Sequence, residues 1–112
     1  SKKMLIEMTV PLTTDGYTFG EIECQLDVRV TYAGHSSYFK RSHGDPGADP
    51  EFVVDAYYVD CGGYKWPDGP GKGKMVRYEN WYAAPTNIIP FIDEYIDGEG
   101  RQDVIDGIKE AA

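Results

Sequence analysis

The chain lacks the features of membrane-spanning and secreted proteins. Its longest uninterrupted apolar runs are a few residues, whereas a helix that crosses a bilayer needs about 20 apolar residues. The apolar stretch after Lys2 and Lys3 ends at Glu7 after three residues, which is too short for the apolar core of a signal peptide. We therefore expect a cytoplasmic protein in which residues 1–112 form a single domain.

Cysteine is also scarce, since the chain holds only Cys24 and Cys61. Two cysteines can pair in one way, but the cytosol keeps most thiols reduced, and a buried free thiol behaves as a small hydrophobe. We predict two structural thiols, with a disulfide or a pair of ligands as the alternative.

No catalytic or cofactor signature is present. The glycine- and lysine-rich run at residues 69–74 resembles a phosphate-binding loop in composition only. Such a loop needs a glycine five residues before its Gly-Lys pair and a Ser or Thr after it. Trp66 and Asp68 occupy the upstream positions, and Met75 follows Lys74. We therefore interpret this run as a hairpin tip, and expect a protein that has no cofactor and is not an enzyme.

The clearest pattern in the chain is the strict alternation of apolar and polar residues over 21–32. Side chains of a strand alternate between two faces, so this pattern predicts a strand with one buried and one solvated face. Residues 4–12 alternate in the same way, and turn-forming residues at 13–16 separate the two segments. The pattern predicts a long antiparallel hairpin, with a bulge at Gly20. The predicted buried row is Ile22, Cys24, Leu26, Val28, Val30 and Tyr32.

A second hairpin is predicted from residues 51–61 and 74–82, which flank a segment rich in glycine and proline. Residues 51–61 are apolar on both faces of the expected strand, with Phe52, Val54, Ala56 and Tyr58 on one face. This pattern is typical of a central strand that is covered on both sides.

The period changes to that of a helix after residue 83. Ile88, Ile92 and Ile96 recur at helical spacing, with Thr86 or Asn87 as the predicted N-cap. A second amphipathic helix is predicted from the spacing of Val104, Ile105, Ile108 and Ala111. The predicted fold is therefore α+β, with an antiparallel sheet of about four strands and two short C-terminal helices packed on one of its faces.

The net charge of −8 is concentrated near the C-terminus, where residues 86–112 hold seven acidic and two basic residues. Such a surface repels nucleic acids and membranes and suits a partner protein with a basic surface. The alternatives are a solvated face that keeps the protein soluble, or a surface that mimics DNA. Trp66 is the aromatic residue that we most expect to be exposed, and aromatic residues are favoured at interfaces. The predicted partner-binding residues are Asp93, Glu94, Asp97, Asp103 and Trp66.

A long loop is predicted at residues 34–50, and loops of this length are often functional. Lys40 and Arg41 lie beside aromatic residues, a combination that can hold a phosphate or a nucleotide. The two histidines do not have the spacing of a zinc site, and no nucleophile motif accompanies them, so no metal is expected. The alternatives are an exposed loop without a ligand and a small enzyme with its chemistry in this loop. The candidate ligand-binding residues are His35, Tyr38, Lys40, Arg41 and His43.

The chain resembles the small accessory proteins of tailed bacteriophages and prophages. The resemblance lies in the strand that ends Val-Arg-Val-Thr-Tyr, the Gly/Pro/Asp loop, the strand at residues 51–60 and the acidic helical tail. It implies expression in a bacterial cytoplasm and a role in counteracting or redirecting host machinery by binding a host protein. We therefore expect a non-enzymatic binding protein that inhibits a host defence or nucleic-acid-processing protein. A protein that sequesters a small nucleotide is the alternative, and the sequence leaves the oligomeric state open.

Overall fold

A computed structural model of the chain describes residues 2–35 and 47–111. These residues form a four-stranded antiparallel sheet, a small two-stranded sheet and two C-terminal helices. The four-stranded sheet has the order β1-β2-β3-β6, and β4 pairs with β5. This arrangement confirms the predicted α+β class. The elements are β1 (Lys2–Thr14), β2 (Tyr17–Tyr32), β3 (Glu51–Asp60), β4 (Gly63–Lys65), β5 (Val76–Tyr78), β6 (Trp81–Ala83), α1 (Ile89–Asp97) and α2 (Arg101–Ala111).

The first predicted hairpin is confirmed and is longer than expected, because β1 and β2 pair from Lys2 opposite Val30 to Thr14 opposite Tyr17. Asp15 and Gly16 connect the strands, both with positive φ, which is the conformation that tight two-residue hairpin turns require. The register shifts beside Gly20, where the sequence predicted a bulge.

The hydrophobic core lies between one face of this hairpin and the two helices. Cys24, Leu26 and Val28 are fully buried there, as the alternation predicted. The helices contribute the buried residues Ile92, Ile96, Val104, Ile105 and Ile108. Tyr32 was predicted to share the buried row but is exposed, because it lies beyond a register shift that follows Val30. Among the described residues, no helix is long and apolar enough to span a bilayer.

A bulge in β3 explains why residues 51–61 seemed apolar on both faces. Ala56 pairs with Asp27 while Val54 pairs with Val28, so Asp55 is an extra residue between them. The side-chain alternation therefore changes phase at Asp55. Phe52, Val54, Tyr57 and Val59 all pack against the core, and the prediction that Ala56 and Tyr58 share the face of Phe52 was wrong.

The predicted strand at residues 74–82 is divided into β5 and β6. Residues 62–80, which we call the arm, continue the hairpin of β3 and β6 beyond the main sheet. The Asp60 carboxylate fastens the arm, because it accepts the backbone N–H groups of Gly62 at 2.8 Å and Asn80 at 2.9 Å and pairs with Arg77. These backbone hydrogen bonds, followed by the Arg77 interaction, lower the pKa of Asp60. A side chain at residue 62 would overlap the Tyr78 carbonyl oxygen, so the joint requires glycine.

The molecule is elongated, with a longest dimension of 65 Å and a radius of gyration of 18.1 Å. A compact domain of this length has a radius of gyration of about 13 Å. The arm carries exposed Tyr64, Trp66 and Tyr78. A two-stranded hairpin is at best marginally stable in water by itself, so the Asp60 joint is needed to hold the arm in place.

The two thiols are free and differ in accessibility, since Cys24 is buried and Cys61 is exposed. Burial raises the pKa of Cys24 to about 12, and the thiolate is the reactive form. We expect a colorimetric disulfide reagent at mildly alkaline pH to modify Cys61 at once and Cys24 only after denaturant is added. Cys61→Ser should remove the fast phase alone. Two equally fast thiols would contradict the placement of Cys24 in the core.

Candidate binding groove

An open groove lies between the turn end of the β1–β2 hairpin and α1. Its volume is about 650 Å³, which is within the range of ligand-binding pockets. The hairpin supplies one wall, and α1 with the turn that follows it supplies the other. We call it the acidic groove; its lining residues are Pro11, Thr13, Gly16, Thr18, Phe91, Glu94, Tyr95, Gly98 and Glu99.

The position of α1 is set by its apolar side and its first turn. Ile92 and Ile96 are buried in the core, and Pro90 lies in the first turn, where its missing N–H has no cost. The prediction that Thr86 or Asn87 caps the helix was wrong, since Ile88 is the N-cap and no side chain caps the helix. Phe91 packs edge-to-face against Phe19 of β2, with ring centroids 5.8 Å apart. This contact joins α1 to the hairpin beside the groove.

The turn between the helices holds the ring of Tyr95. The N–H of Gly100 donates to the Tyr95 carbonyl at 2.7 Å, and a side chain at residue 100 would overlap the Tyr95 ring. The Tyr95 hydroxyl lies 3.5 Å from Asp103 Oδ2. Burial, followed by the charge and hydrogen bond of Asp103, raises the pKa of Tyr95. The glycine at residue 100 therefore allows α2 to begin directly against the aromatic wall of the groove.

The predicted partner-binding acids have different surroundings. Asp93 is half-buried and accepts a hydrogen bond from the Tyr57 hydroxyl. Burial and then this bond raise the pKa of Tyr57 well above its usual value. Glu94 and Asp97 are exposed, and Glu94 lines the groove. Asp93 is thus committed to an internal contact, whereas Glu94 is available to a partner.

Within the described residues, the carboxylates of the groove form no ion pair. The ion pairs among residues 2–35 and 47–111 involve Asp49, Asp55 and Asp60, and none involves Glu94 or Glu99. A cationic side chain is attracted both by carboxylates and by the faces of aromatic rings. Because the rings of Phe91 and Tyr95 lie in the same groove, its chemistry suits a lysine or arginine side chain.

The predicted ligand loop can be compared with the structure at one residue only. His35 is exposed, and its backbone pairs with Ala48 through hydrogen bonds of 2.9 and 3.0 Å. Tyr38, Lys40, Arg41 and His43 lie outside the described residues, so a ligand site in this loop stays a prediction. In the part of the chain that the structure describes, no group of three or more His, Cys, Asp or Glu could hold a metal ion.

Trp66 lies in the arm and is 39% exposed, whereas the predicted acidic residues lie on α1 and α2. The arm also contains Lys65, Lys72, Lys74 and Arg77 against two acids, Asp68 and Glu79, and Lys65 lies 5.5 Å from the centroid of the Tyr78 ring. The sequence reasoning weighed the glycines and lysines at residues 69–74 only as a phosphate-binding loop, and did not identify the arm as a basic and aromatic segment.

Sequence reasoning also missed Glu99 and the aromatic residues of the groove. Glu99 lies in a turn between two glycines, and no periodic pattern marks it. Phe91 and Tyr95 four residues later were visible as one side of a helix, but their approach to the hairpin depends on tertiary packing. Comparison of the chain with protein-family models, with curated proteins and with solved structures finds no match.

Proposed function

We propose that the chain is a non-enzymatic binding protein whose acidic groove holds a basic segment of a partner protein. The observation that supports this most directly is the pair Glu94 and Glu99, which line the groove beside two aromatic rings. Neither carboxylate has an ion-pair partner among the described residues. The groove therefore offers a cationic side chain both a carboxylate and an aromatic ring as binding partners.

The charge distribution favours a protein over a nucleic acid as the partner. The chain carries a net charge of −8, and residues 86–112 hold seven acidic against two basic residues. Phosphate backbones are repelled by such a surface, whereas a basic protein surface is attracted over roughly a Debye length, about 8 Å at physiological salt. The exposed Tyr64 and Trp66 of the arm are residue types that protein interfaces favour.

The resemblance to phage accessory proteins suggests the class of the partner. A host protein that binds nucleic acid has a surface rich in lysine and arginine, because this surface contacts phosphates. An inhibitor of such a protein can bind to that basic surface. We propose such a protein in a bacterial host as the partner of the acidic groove. An acidic groove that occupies this surface would compete with the nucleic acid.

The proposal can be tested with a short synthetic arginine-rich peptide, measured by isothermal titration calorimetry. Glu94→Gln together with Glu99→Gln should weaken binding about tenfold, since two partly exposed ion pairs are removed. The matched control is Asp68→Asn with Glu79→Gln, which changes the net charge equally in the arm, and it should leave affinity within about twofold.

Equal losses in the two double variants would show that the peptide responds to overall charge and not to the groove. That result would overturn the proposal, as would the absence of binding by the unmodified chain. Circular dichroism of each variant confirms that it folds, and raising the salt concentration should weaken binding of the unmodified chain more than that of the groove variant.

A further inference from the structure

In the part of the chain that the structure describes, the outer edge of β1 is unpaired along its first nine residues. β1 is an edge strand of the main sheet, and among residues 2–35 and 47–111 no strand pairs with its outer side. Edge strands usually carry prolines or bulges that prevent pairing with another chain. In β1 these features come late, as Pro11 and a register shift between Leu12 and Thr13. Residues 2–10 have neither.

The exposed face of this segment carries a self-complementary set of side chains. Lys3, Leu5 and Glu7 alternate with buried or half-buried residues and therefore share the solvated face. Leu5 is a large apolar residue that is 61% exposed on this otherwise polar face. A two-fold axis at Leu5, with the strands antiparallel, places Lys3 opposite the partner's Glu7 and Leu5 opposite the partner's Leu5. Every exposed side chain in the centre of such a pair meets a complementary one.

Neighbouring registers do not give this match. Directly opposed residues of an antiparallel pair point to the same face of the sheet. A register that leaves the helices of both copies on the same face of the joint sheet must therefore place the two-fold axis at a residue, and not between two residues. An axis at Ile6 places Leu5 opposite the partner's Glu7. An axis at Met4 places Lys3 opposite the partner's Leu5. Both leave the charges without an opposite charge.

We propose that a second copy of this chain pairs along residues 2–8 of β1, in antiparallel orientation with the two-fold axis at Leu5. The two four-stranded sheets then form one continuous sheet of eight strands. On the other face, Met4 lies opposite the partner's Ile6, which extends the apolar row beneath the helices. Residues 2–10 contain two lysines and one glutamate, so this edge lacks the negative charge that would keep two acidic chains apart.

A charge exchange measured by sedimentation equilibrium tests both the dimer and its register. Lys3→Glu should weaken dimerisation about tenfold or more, because two attractive pairs become repulsive. Glu7→Lys should have a similar effect. The double variant, Lys3→Glu with Glu7→Lys, restores both pairs and should recover most of the affinity of the unmodified chain. Lys72→Glu in the arm is the matched control and should leave dimerisation unchanged.

These positions are exposed, so the variants should fold, and thermal melting checks this. The intramolecular contacts are weak, since Lys3 lies 3.8 Å from Asp55 and Glu7 accepts from Gln25 at 3.3 Å. A monomeric unmodified chain at all concentrations up to the high micromolar range would overturn the proposal. Failure of the double variant to recover dimerisation would overturn the register at Leu5. Because none of these residues lines the acidic groove, either result leaves the proposed function to its own test.

Discussion

Leu26→Asp is expected to unfold the domain. Leu26 of β2 is 0% exposed and lies in the core between the β1–β2 hairpin and the two helices. Removing a buried leucine side chain costs about 2–5 kcal/mol, and an unpaired buried carboxylate costs several kcal/mol more or takes up a proton. The sum is comparable to the whole stability of a small domain, about 5–15 kcal/mol. Thermal melting followed by circular dichroism should show no cooperative transition.

Asp27→Leu, one residue further along the same strand, is the matched control. Asp27 is half-buried on the opposite face of the sheet from Leu26, away from the core that contains α1 and α2. Its replacement should change the free energy of unfolding by less than about 1 kcal/mol. Equal losses of stability in the two variants would contradict the assignment of the buried face.

Gly100→Ala is expected to lower both the stability of the domain and its affinity for a basic peptide. The new methyl group would overlap the Tyr95 ring, and overpacking of a buried site typically costs about 1–3 kcal/mol. Gly100 is buried, and Tyr95 lines the acidic groove. Displacement of the ring should therefore lower both the melting temperature and the affinity for an arginine-rich peptide.

A double-mutant cycle identifies Tyr95 as the cause. In a Tyr95→Ala background, the space beside residue 100 is free, and Gly100→Ala should cost much less than in the unmodified chain. Gly20→Ala is the control, because the nearest described atom to a methyl group there belongs to Leu12, at the ordinary contact distance of 3.8 Å. An equal cost of Gly100→Ala in both backgrounds would show that another contact is responsible.

The parts of the fold that could be predicted are those that local pattern determines. Alternation over residues 21–32 identifies the buried face because successive side chains of a regular strand point to opposite faces of the sheet. The same rule fails in β3, where Asp55 is an extra residue and pairs with Arg29 at 3.2 Å on the other face. Between β5 and β6, the backbone N–H of Asn80 donates to the Asp60 carboxylate, which is 20 residues away in the sequence. A local pattern does not show this contact.

The candidate site was predictable only in part, for a similar reason. The acidic character of α1 is visible in its composition, and Glu94 does line the groove. The sequence does not show that Asp93 is held by Tyr57, because the two are 36 residues apart in the chain. Nor does it show that Phe19 meets Phe91 beside a groove. Both contacts arise when the helices pack on the sheet, and they decide which acids remain available.

A titration followed by nuclear magnetic resonance shows whether a basic segment binds in the acidic groove. An arginine-rich peptide is added to isotopically labelled chain while the backbone amide signals are recorded. Binding in the groove should change the signals of the groove residues most, in particular those of Thr13, Thr18, Glu94, Tyr95 and Glu99. Changes spread evenly over acidic residues elsewhere, such as Glu21, Glu79 and Glu110, with none at Thr13 and Thr18, would contradict it.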